Sequence, residues 1–217
     1  MRFVLATANP GKAREIEAIL GEAGLGLELV PRPASVAPVE ETGETLEDNA
    51  RLKAEAVRDA TGEAAIADDT GLEVDALGGA PGVHSARFAG PDATDADNVK
   101  LLLGRLAALP LERRRARFTT VAVASFPDRR EIAAIGTAEG TIASERRGER
   151  GFGYDSVFIA DDGDGRTFAE LTPAEKDARS HRGAAFRTLA EGLAILDQAG
   201  HLEPPGPGGV SAGPEEV

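Results

Sequence analysis

The spacing of apolar positions predicts alternating strands and helices in the first half of the chain. A short apolar run at positions 4–6 is followed by four apolar residues that recur at helical spacing between positions 13 and 20. A second apolar run at 27–30 leads into a proline-rich stretch, which favours a strand followed by a loop. The chain therefore begins with a predicted strand, a tight loop, a helix and a second strand.

Capping residues mark the starts of four further helices. Thr45 and Thr94 each precede an aspartate by three positions and stand before apolar residues at helical spacing. The run Thr172-Pro173-Ala174-Glu175 has a capping hydroxyl, a proline at the first helical position and an acidic third position. Ser180 precedes the last apolar helical pattern, which predicts a final helix close behind the fourth.

Other apolar segments have the composition of strands. Positions 64–67 predict a buried strand that ends at Asp68-Asp69, and positions 72–77 predict another. Positions 118–124 and 132–142 are rich in Val, Ile and Thr, which is typical of long antiparallel strands. Because helices and strands alternate first and longer strands come later, we expect an α/β fold with a mixed sheet, two lobes and a central cleft.

Helical spacing is lost near the end of the chain. From residue 203 to residue 217, Pro, Gly and Glu dominate the composition, which is typical of a disordered segment. Residues 1–202 are long enough for one domain with a core of its own. The sequence therefore predicts a single domain at 1–202 and a disordered tail at 203–217.

The overall composition excludes several classes of protein. The absence of Cys excludes disulfides and thiolate chemistry, and no apolar run reaches the roughly 18 residues of a membrane span. The start of the chain lacks the features of a signal peptide, so we expect a cytoplasmic protein without a membrane partner. The net charge of −13 disfavours a nucleic-acid polymer as partner, although it permits a single nucleotide.

The first candidate site is the strand-to-helix run Thr7-Ala8-Asn9-Pro10-Gly11-Lys12. A helix start offers free backbone N–H groups and the positive end of the helix dipole, which suit a phosphate, and Lys12 adds a full charge. The run does not match the Walker A pattern. An ordinary capped helix with a surface lysine would have the same residues.

The second candidate site is Asp68-Asp69-Thr70-Gly71. Paired carboxylates can hold Mg²⁺ through oxygen ligands, and one of them can activate a water molecule. The pair Glu40-Glu41, in a proline-bounded loop, can supply another ligand. Two solvent-exposed aspartates in a turn remain the alternative.

Two further candidate sites lie in the second half of the chain. The run Gly151-Phe152-Gly153-Tyr154-Asp155 contains the single Tyr, and aromatic rings between glycines can stack on a base. Lys176 and the run Ser180-His181-Arg182 place cations near helix starts, where they can contact phosphate or the edge of a base. A β-turn closing over the core and a solvated charge cluster are the respective alternatives.

These motifs, together with 78–87 (Gly-Gly-Ala-Pro-Gly-Val-His-Ser-Ala-Arg), occur in an order that resembles the inosine triphosphate pyrophosphatase family. This family hydrolyses non-canonical purine nucleoside triphosphates, and the resemblance covers about residues 2 to 196. It implies Mg²⁺-dependent hydrolysis of ITP, dITP and XTP to the monophosphate and pyrophosphate, by a homodimeric enzyme that clears these nucleotides from the pool used for DNA and RNA.

The resemblance also implies a role for individual residues. Asp69 would accept the proton of the attacking water and bind Mg²⁺, with Glu40 as the second metal ligand. His181 and Arg182 would contact the edge of the purine. Substrate binding would also involve Thr7, Ala8, Asn9, Pro10, Gly11, Lys12, Thr70, Phe152, Gly153, Tyr154, Asp155 and Lys176.

Three other functions remain open at this point. A nucleoside triphosphate pyrophosphatase with another base preference, for example for damaged pyrimidines, would share every phosphate-binding residue. A nucleotide-binding sensor without catalysis would retain the phosphate loop but would have no need of a water-activating carboxylate. The net charge of −13 disfavours a third alternative, nucleic-acid binding.

Overall fold

The computed structural model describes residues 1–199. Within them, one mixed sheet of seven strands packs against five α-helices, which confirms the predicted mixed-sheet α/β fold. The strands are β1 (Arg2–Leu5), β2 (Glu28–Pro31), β3 (Ala65–Val74), β4 (Pro81–Gly82), β5 (Arg115–Ser125), β6 (Glu131–Ile142) and β7 (Phe158–Ala160). The helices are α1 (Pro10–Glu22), α2 (Leu46–Thr61), α3 (Asp95–Leu106), α4 (Pro173–Arg179) and α5 (His181–Gln198). The predicted tail at 203–217 lies outside the described residues, and the domain boundary at 202 stays a prediction.

Side-chain caps start the helices where the sequence predicts them. Thr45 accepts from the N–H of Asp48 at the start of α2, and Thr94 and Thr172 form complete capping boxes at the starts of α3 and α4. Ser180 accepts from the N–H of Gly183 at the start of α5. Each cap satisfies an N–H group that has no partner within its helix, which fixes the point where the helix begins.

Strand β3 has a gap along one of its two edges. The sheet has the order β2-β1-β3-β5-β6-β7, and β4 pairs with β3. On one edge, β5 pairs antiparallel with the whole of β3. On the other edge, parallel β1 pairs only with Ala65 and Ile66, and antiparallel β4 pairs only with Leu72 and Glu73. Residues 67–71 therefore have no strand partner on that edge, and a cleft opens there.

The predicted end of a strand at Asp68-Asp69 is wrong. Strand β3 continues through both aspartates to Val74, so the separate strand predicted at 72–77 is the end of β3 followed by a 3₁₀ turn at Asp75–Leu77. Pairing with β5 along its whole length holds the aspartates extended, and this tertiary contact overrides their preference for turns. At Gly71, a Cβ atom would lie 2.8 Å from the carbonyl oxygen of Gly82, so the close approach of β4 requires glycine there.

The hydrophobic core is divided between two lobes. The first lobe has one cluster that includes Phe3, Ile16, Ile66 and Phe186, and another on the opposite sheet face that includes Ala54 and Val57 of α2. The second lobe is the cluster whose members include Leu72, Val99, Leu102, Phe118, Phe158 and Phe168. Strands β3, β5 and β6 contribute to both lobes, and the segment between Ile66 and Leu72 spans the boundary.

No helix within residues 1–199 is long and apolar enough to cross a membrane. This finding agrees with the lack of a long apolar run in the sequence.

Candidate active site

A cavity of about 150 Å³ lies between the two lobes, at the gap in the edge of β3. Its lining residues are Asn9, Lys12, Glu41, Asp69, Thr70, Val83, Ser85, Ala86, Asp95, Phe118, Phe152, Gly153, Tyr154, Asp155, His181 and Arg182. A larger depression of about 730 Å³ lies at the surface of α3, but it is open and shallow and gathers none of the predicted site residues. The chemistry therefore favours the cavity between the lobes.

The two aspartates of β3 face opposite sides of the sheet because side chains alternate along a strand. Asp68 lies on the same face as Ile66, toward α1 and α5, and Asp69 lies on the same face as Ala67, toward α2. Two adjacent carboxylates therefore have different partners and different chemical environments.

Asp69 is held by Lys53 of α2. Lys53 Nζ lies 2.7 Å from Asp69 Oδ1 and 3.0 Å from Glu41 Oε1. Burial raises the pKa of Asp69 above its ordinary value, although Lys53 and Lys12 oppose the shift. Burial alone would lower the pKa of Lys53, but the carboxylates of Asp69, Asp68 and Glu41 outweigh it and raise that pKa. A carboxyl with a raised pKa beside a cavity can accept a proton from water.

Asp68 is fully buried between two cations. Lys12 Nζ and Arg182 Nη2 both lie 3.0 Å from its Oδ2 atom. Burial would raise the pKa of Asp68, but the two cations overcome that effect and hold the pKa far below its ordinary range. Asp68 is therefore ionised at neutral pH and is unsuited to accept a proton.

At the start of α1, more of the backbone N–H groups have hydrogen-bond partners than the sequence predicts. The side chain of Asn9 caps the helix and accepts from the N–H groups of Gly11 at 2.8 Å and Lys12 at 3.2 Å. Thr7 Oγ1 accepts from the N–H of Asn9 at 3.1 Å. The expected free N–H groups are therefore partly satisfied by Asn9, while the Lys12 side chain turns into the cleft toward Asp68.

A buried row of alternating charges connects α1, α4 and α5. Lys176 Nζ lies 2.7 Å from Glu15 Oε1 and 2.6 Å from Asp155 Oδ2. Glu15 Oε2 lies 2.6 Å from Arg182 Nη1, and Arg182 in turn contacts Asp68. Lys176, Glu15 and Arg182 each contact two groups of opposite sign, and such pairing offsets part of the cost of burying their charges.

The glycine-rich loop at 151–155 is anchored at three points. Asp155 accepts from the N–H of Phe152 at 2.9 Å, Asp95 accepts from the N–H of Gly153 at 2.7 Å, and the Tyr154 hydroxyl donates to the carbonyl of Ser85 at 2.9 Å. Burial raises the pKa of Tyr154, whose ring belongs to the core of the second lobe. Tyr154 therefore holds the loop in place.

The half-buried ring of Phe152 lies between the start of α1 and two cations. A Cβ atom at Gly11 would lie 2.6 Å from this ring, so the glycine lets the ring close against the helix. Lys176 Nζ lies 4.8 Å from the ring centroid, and Arg182 Cζ lies 5.6 Å from it. Phe152 thus exposes part of an aromatic ring to the cavity.

His181 stacks on Phe118 at the floor of the cavity. Their ring centroids are 4.3 Å apart, with an interplanar angle of 14°. Burial lowers the pKa of His181 well below its ordinary value, and the charges of Arg182 and Lys176 act in the same direction. A neutral imidazole next to the guanidinium of Arg182 provides a mixed hydrogen-bonding surface.

The structure places Glu41, and not Glu40, at the cavity. Glu40 is exposed, whereas Glu41 is half-buried and contacts Lys53 and Arg87. Within residues 1–199, no group of three or more His, Cys, Asp or Glu side chains has the geometry of a metal site. Among the carboxylates that line the cavity, those of Glu41 and Asp69 lie closest together, because both contact Lys53 Nζ.

Sequence comparison identifies the family to which this chain is related. The sequence model of the Ham1 family matches residues 3–192. The chain belongs to the Ham1 family.

Ham1 relatives are similar to the chain over most of its length. A dITP/XTP pyrophosphatase of Streptococcus agalactiae is 49% identical over 190 residues, which are 87% of this chain but only 58% of that protein. A dITP/XTP pyrophosphatase of Exiguobacterium sibiricum is 46% identical over 193 residues, which are 89% of this chain and 97% of that protein. The solved structure of a HAM1 protein from Coxiella burnetii has a TM-score of 0.80 and 40% identity, covering 90% of this chain and 99% of that one.

The cleft of this Ham1 chain also contains residues that the motifs do not reveal. Glu15 joins Lys176 to Arg182, Lys53 joins Asp69 to Glu41, and Asp95 anchors Gly153. Two of them leave a signal in the sequence. Glu15 lies three positions after Lys12, so the two share a helical face, and Lys53 is a charge on the otherwise apolar face of α2.

Proposed function

We propose that this Ham1 chain hydrolyses non-canonical purine nucleoside triphosphates, such as ITP, dITP and XTP, to the monophosphate and pyrophosphate. Its role would be to remove these nucleotides before they are incorporated into DNA or RNA. Two relatives that share 46% and 49% identity with it bear the name dITP/XTP pyrophosphatase, which supports the choice of substrate.

One observation carries the proposal. A carboxyl of raised pKa, Asp69, lines the same small cavity as Lys12 at the start of α1 and as Phe152, His181 and Arg182. A nucleoside triphosphate needs these three features together, namely cations for its phosphates, a base for the attacking water, and an aromatic and hydrogen-bonding surface for the purine.

The reaction is a transfer of the nucleoside phosphoryl group to water. Lys53 donates to Asp69 Oδ1 at 2.7 Å, whereas Oδ2 accepts only a long hydrogen bond from Asn49 Nδ2 at 3.5 Å, so Oδ2 is the atom better suited to accept the proton of the water. The water oxygen forms a bond to the α-phosphorus, the bond from that phosphorus to the bridging oxygen breaks, and pyrophosphate leaves with the bonding electrons. Lys12 offsets negative charge on the phosphates.

The cleft fits the requirement for Mg²⁺. Magnesium is commonly bound through one or two carboxylates together with substrate phosphates. Asp69 and Glu41 both contact the ammonium group of Lys53, and this pairing of two carboxylates around one positive charge supports the choice of a cation. These two carboxylates would hold the ion, and the bound ion would neutralise charge on the phosphates.

Hydrogen-bond chemistry accounts for a preference for 6-oxo purines. The 6-oxo group of hypoxanthine or xanthine is an acceptor, which the guanidinium of Arg182 can satisfy. The 6-amino group of adenine would place donors against a donor. Such a mismatch in a buried site can discriminate by orders of magnitude.

The oligomeric state and the cellular location of the protein follow from the same proposal. We expect a homodimer, because the resembled family is typically dimeric, and a cytoplasmic protein, because the nucleotide pool used by polymerases is inside the cell. Sedimentation at twice the chain mass of 22.5 kDa would support the dimer, and sedimentation at that mass would exclude it.

A substrate panel tests the proposed function. Pyrophosphate release is measured from ITP, dITP, XTP, GTP, ATP and dUTP, with Mg²⁺ and with EDTA. We expect rapid, Mg²⁺-dependent release from the first three and little from the others. GTP also carries a 6-oxo group, so its rejection would depend on its 2-amino group. Comparable turnover of dUTP and dITP would contradict the purine preference, and binding of ITP without release would favour a nucleotide sensor.

A further inference from the structure

The carboxylate of Asp68 carries all of its contacts on one oxygen atom. Lys12 Nζ and Arg182 Nη2 each lie 3.0 Å from Oδ2, and Thr70 Oγ1 donates to it at 3.2 Å. The other oxygen, Oδ1, is buried and has no hydrogen-bond partner among the described residues. A buried carboxylate oxygen without a partner is unusual, because its desolvation is uncompensated.

The contact between Arg182 and Asp68 is geometrically incomplete. An arginine binds a carboxylate best when two parallel N–H groups meet two separate oxygens. Arg182 instead directs Nη2 at 3.0 Å and Nε at 3.4 Å to the same Oδ2 atom. The ammonium group of Lys12 shares that oxygen. Two cations therefore compete for one atom while the neighbouring oxygen stays unused.

We propose that Asp68 is a positioning residue that couples phosphate binding at Lys12 to base recognition at Arg182. The inference rests on the proposed function, in which Lys12 contacts the phosphates and Arg182 contacts the purine. A triphosphate at the start of α1 draws Lys12 away from Asp68. Asp68 then turns its unused Oδ1 toward Arg182 and completes the two-point contact.

Glu15 determines which end of the Arg182 guanidinium the coupling affects. Its Oε2 atom holds Arg182 Nη1 at 2.6 Å, so one end of the guanidinium is already fixed. Nη2 already donates to Thr70 Oγ1 at 3.0 Å and to Asp68 Oδ2, whereas Nε has only the long contact of 3.4 Å. A second Asp68 oxygen shortens the contact at Nε, and the guanidinium plane becomes rigid. Arg182 therefore selects a 6-oxo purine more strongly once phosphates are bound.

The coupling has a consequence that a rigid base pocket lacks. Coupling between two ligands is reciprocal, so phosphates and a 6-oxo base each raise the affinity for the other. The preference for inosine over adenosine grows when phosphates occupy the cleft. A pocket that is complete before binding gives the same preference with and without phosphates.

Calorimetric titration of the full chain tests the proposal. Inosine and adenosine are titrated in EDTA, first onto the protein alone and then onto protein saturated with tripolyphosphate. We expect tripolyphosphate to raise the ratio of inosine to adenosine affinity by about fivefold or more. In Asp68→Asn, which removes the carboxylate charge for which the cations compete, the rise should fall below about twofold, on the same scale of coupling.

A second variant separates coupling from damage to the fold. Lys12→Met leaves Arg182 without a competing ammonium at Asp68. We expect its preference for inosine, measured without tripolyphosphate, to exceed that of the wild type. General damage to the cleft would lower the preference, so an unchanged or lower preference overturns the proposal.

The remaining outcomes are also decisive. An equal rise in wild type and Asp68→Asn, no rise in the wild type, or no inosine binding in the presence of tripolyphosphate each overturns the coupling. If the wild type meanwhile hydrolyses ITP in the substrate panel, the proposed function stands and only the coupling fails. Absence of ITP hydrolysis with coupling intact would instead contradict the proposed function.

Discussion

Single residues of the cleft acquire their chemistry from the face of the sheet on which they lie. Asp69 faces α2 and has a raised pKa, whereas its neighbour Asp68 faces α1 and α5 and has a lowered one. The difference arises because burial dominates at Asp69, while two close cations outweigh burial at Asp68. The alternation of side chains along the strand thus gives two adjacent aspartates different partners and different pKa values.

The first prediction concerns Asp69→Asn. The amide has nearly the same shape as the carboxyl but cannot accept the proton of the attacking water. We expect turnover of ITP to fall by at least ~10²-fold, since a positioned general base contributes about that much or more, while ITP binding persists. Steady-state kinetics and equilibrium titration would show this, with the exposed Asp162→Asn as control. Near-normal turnover would place the base elsewhere.

The second prediction uses the adjacent pair Glu40 and Glu41. Because only Glu41 lines the cavity and contacts Lys53, Glu41→Gln should raise the Mg²⁺ concentration needed for half-maximal activity by about tenfold, the loss typical of a disturbed metal environment. Glu40→Gln should change it little. The reverse pattern in a Mg²⁺ titration of the two variants would restore Glu40 as the metal ligand that the resemblance implies.

The third prediction concerns Asp177, at the end of α4. Burial, together with the nearby carboxylate of Glu15, raises the pKa of Asp177 to about 6, and its Oδ1 atom has no hydrogen-bond partner among the described residues. A raised folded-state pKa means that the ionised form destabilises the native protein above pH 6. Asp177→Asn should therefore increase the free energy of unfolding by about 1 kcal/mol at pH 8, after allowance for solvent screening.

The pH dependence distinguishes this effect from a general change in packing. The advantage of Asp177→Asn should shrink as the pH falls through about 6 and vanish below about 4, the ordinary pKa of Asp. Urea unfolding at pH 8, 6 and 4.5 would measure it. An advantage of the same size at every pH would contradict the titration argument.

The motifs predict much of the residue content of the site but not its connections. Lys12, Asp69, Phe152, Lys176, His181 and Arg182 are singled out by sequence, and all of them line or adjoin the cleft. Glu15 and Asp95 are not, because neither belongs to a motif and each acts through a residue distant in sequence. The choice between Glu40 and Glu41 depends on loop conformation, which local sequence does not determine.

At the level of elements, predictions were confirmed where local forces dominate. Thr45, Thr94 and Thr172 cap their helices at the predicted positions. Each hydroxyl accepts from the backbone N–H three residues later, so the interaction lies within one turn and depends on local sequence alone. The predicted end of β3 is wrong because the extension of this strand depends on β5, about 50 residues later in the chain. The sequence does not predict the three-residue strand β7, since so short a segment shows no periodicity.

The contact between β6 and α5 supports the next prediction. A Cβ atom at Gly136 of β6 would overlap the backbone of His181 and Ala185, where α5 begins. Gly136→Ala should destabilise the protein by about 2 kcal/mol or more, since overpacked sites must displace their neighbours. It should also reduce ITP turnover, because His181 and Arg182 would move with the helix.

A second glycine provides the control for this prediction. Gly104, within α3, has open space where a Cβ atom would be placed. Gly104→Ala should raise stability by about 0.5–1 kcal/mol through helix propensity, and turnover should not change. Thermal unfolding and kinetics of both variants would test the pair. Equal effects of the two substitutions would show that the close approach at Gly136 is tolerated.

For the whole molecule, the family match and the described structure both concern the part of the chain before residue 200. The Ham1 match ends at residue 192, and the residues that line the cleft lie between Asn9 and Arg182. We therefore expect a chain that ends at residue 202 to keep the melting temperature and the ITP turnover of the full chain. A clear loss of either would contradict the predicted domain boundary at 202.

The gap in the edge of β3 has a consequence for solubility. An unpaired strand edge can accept a strand from another molecule, which is a common route to aggregation. Residues 67–71 leave such an edge between β1 and β4, and this segment carries the charged side chains of Asp68 and Asp69 on its two faces, with Lys12 close by. Charges oppose the addition of a foreign strand. The side chains that we assign to chemistry therefore also protect the protein from aggregation through this strand edge, and apolar replacements in this segment should yield insoluble protein as well as loss of ITP turnover.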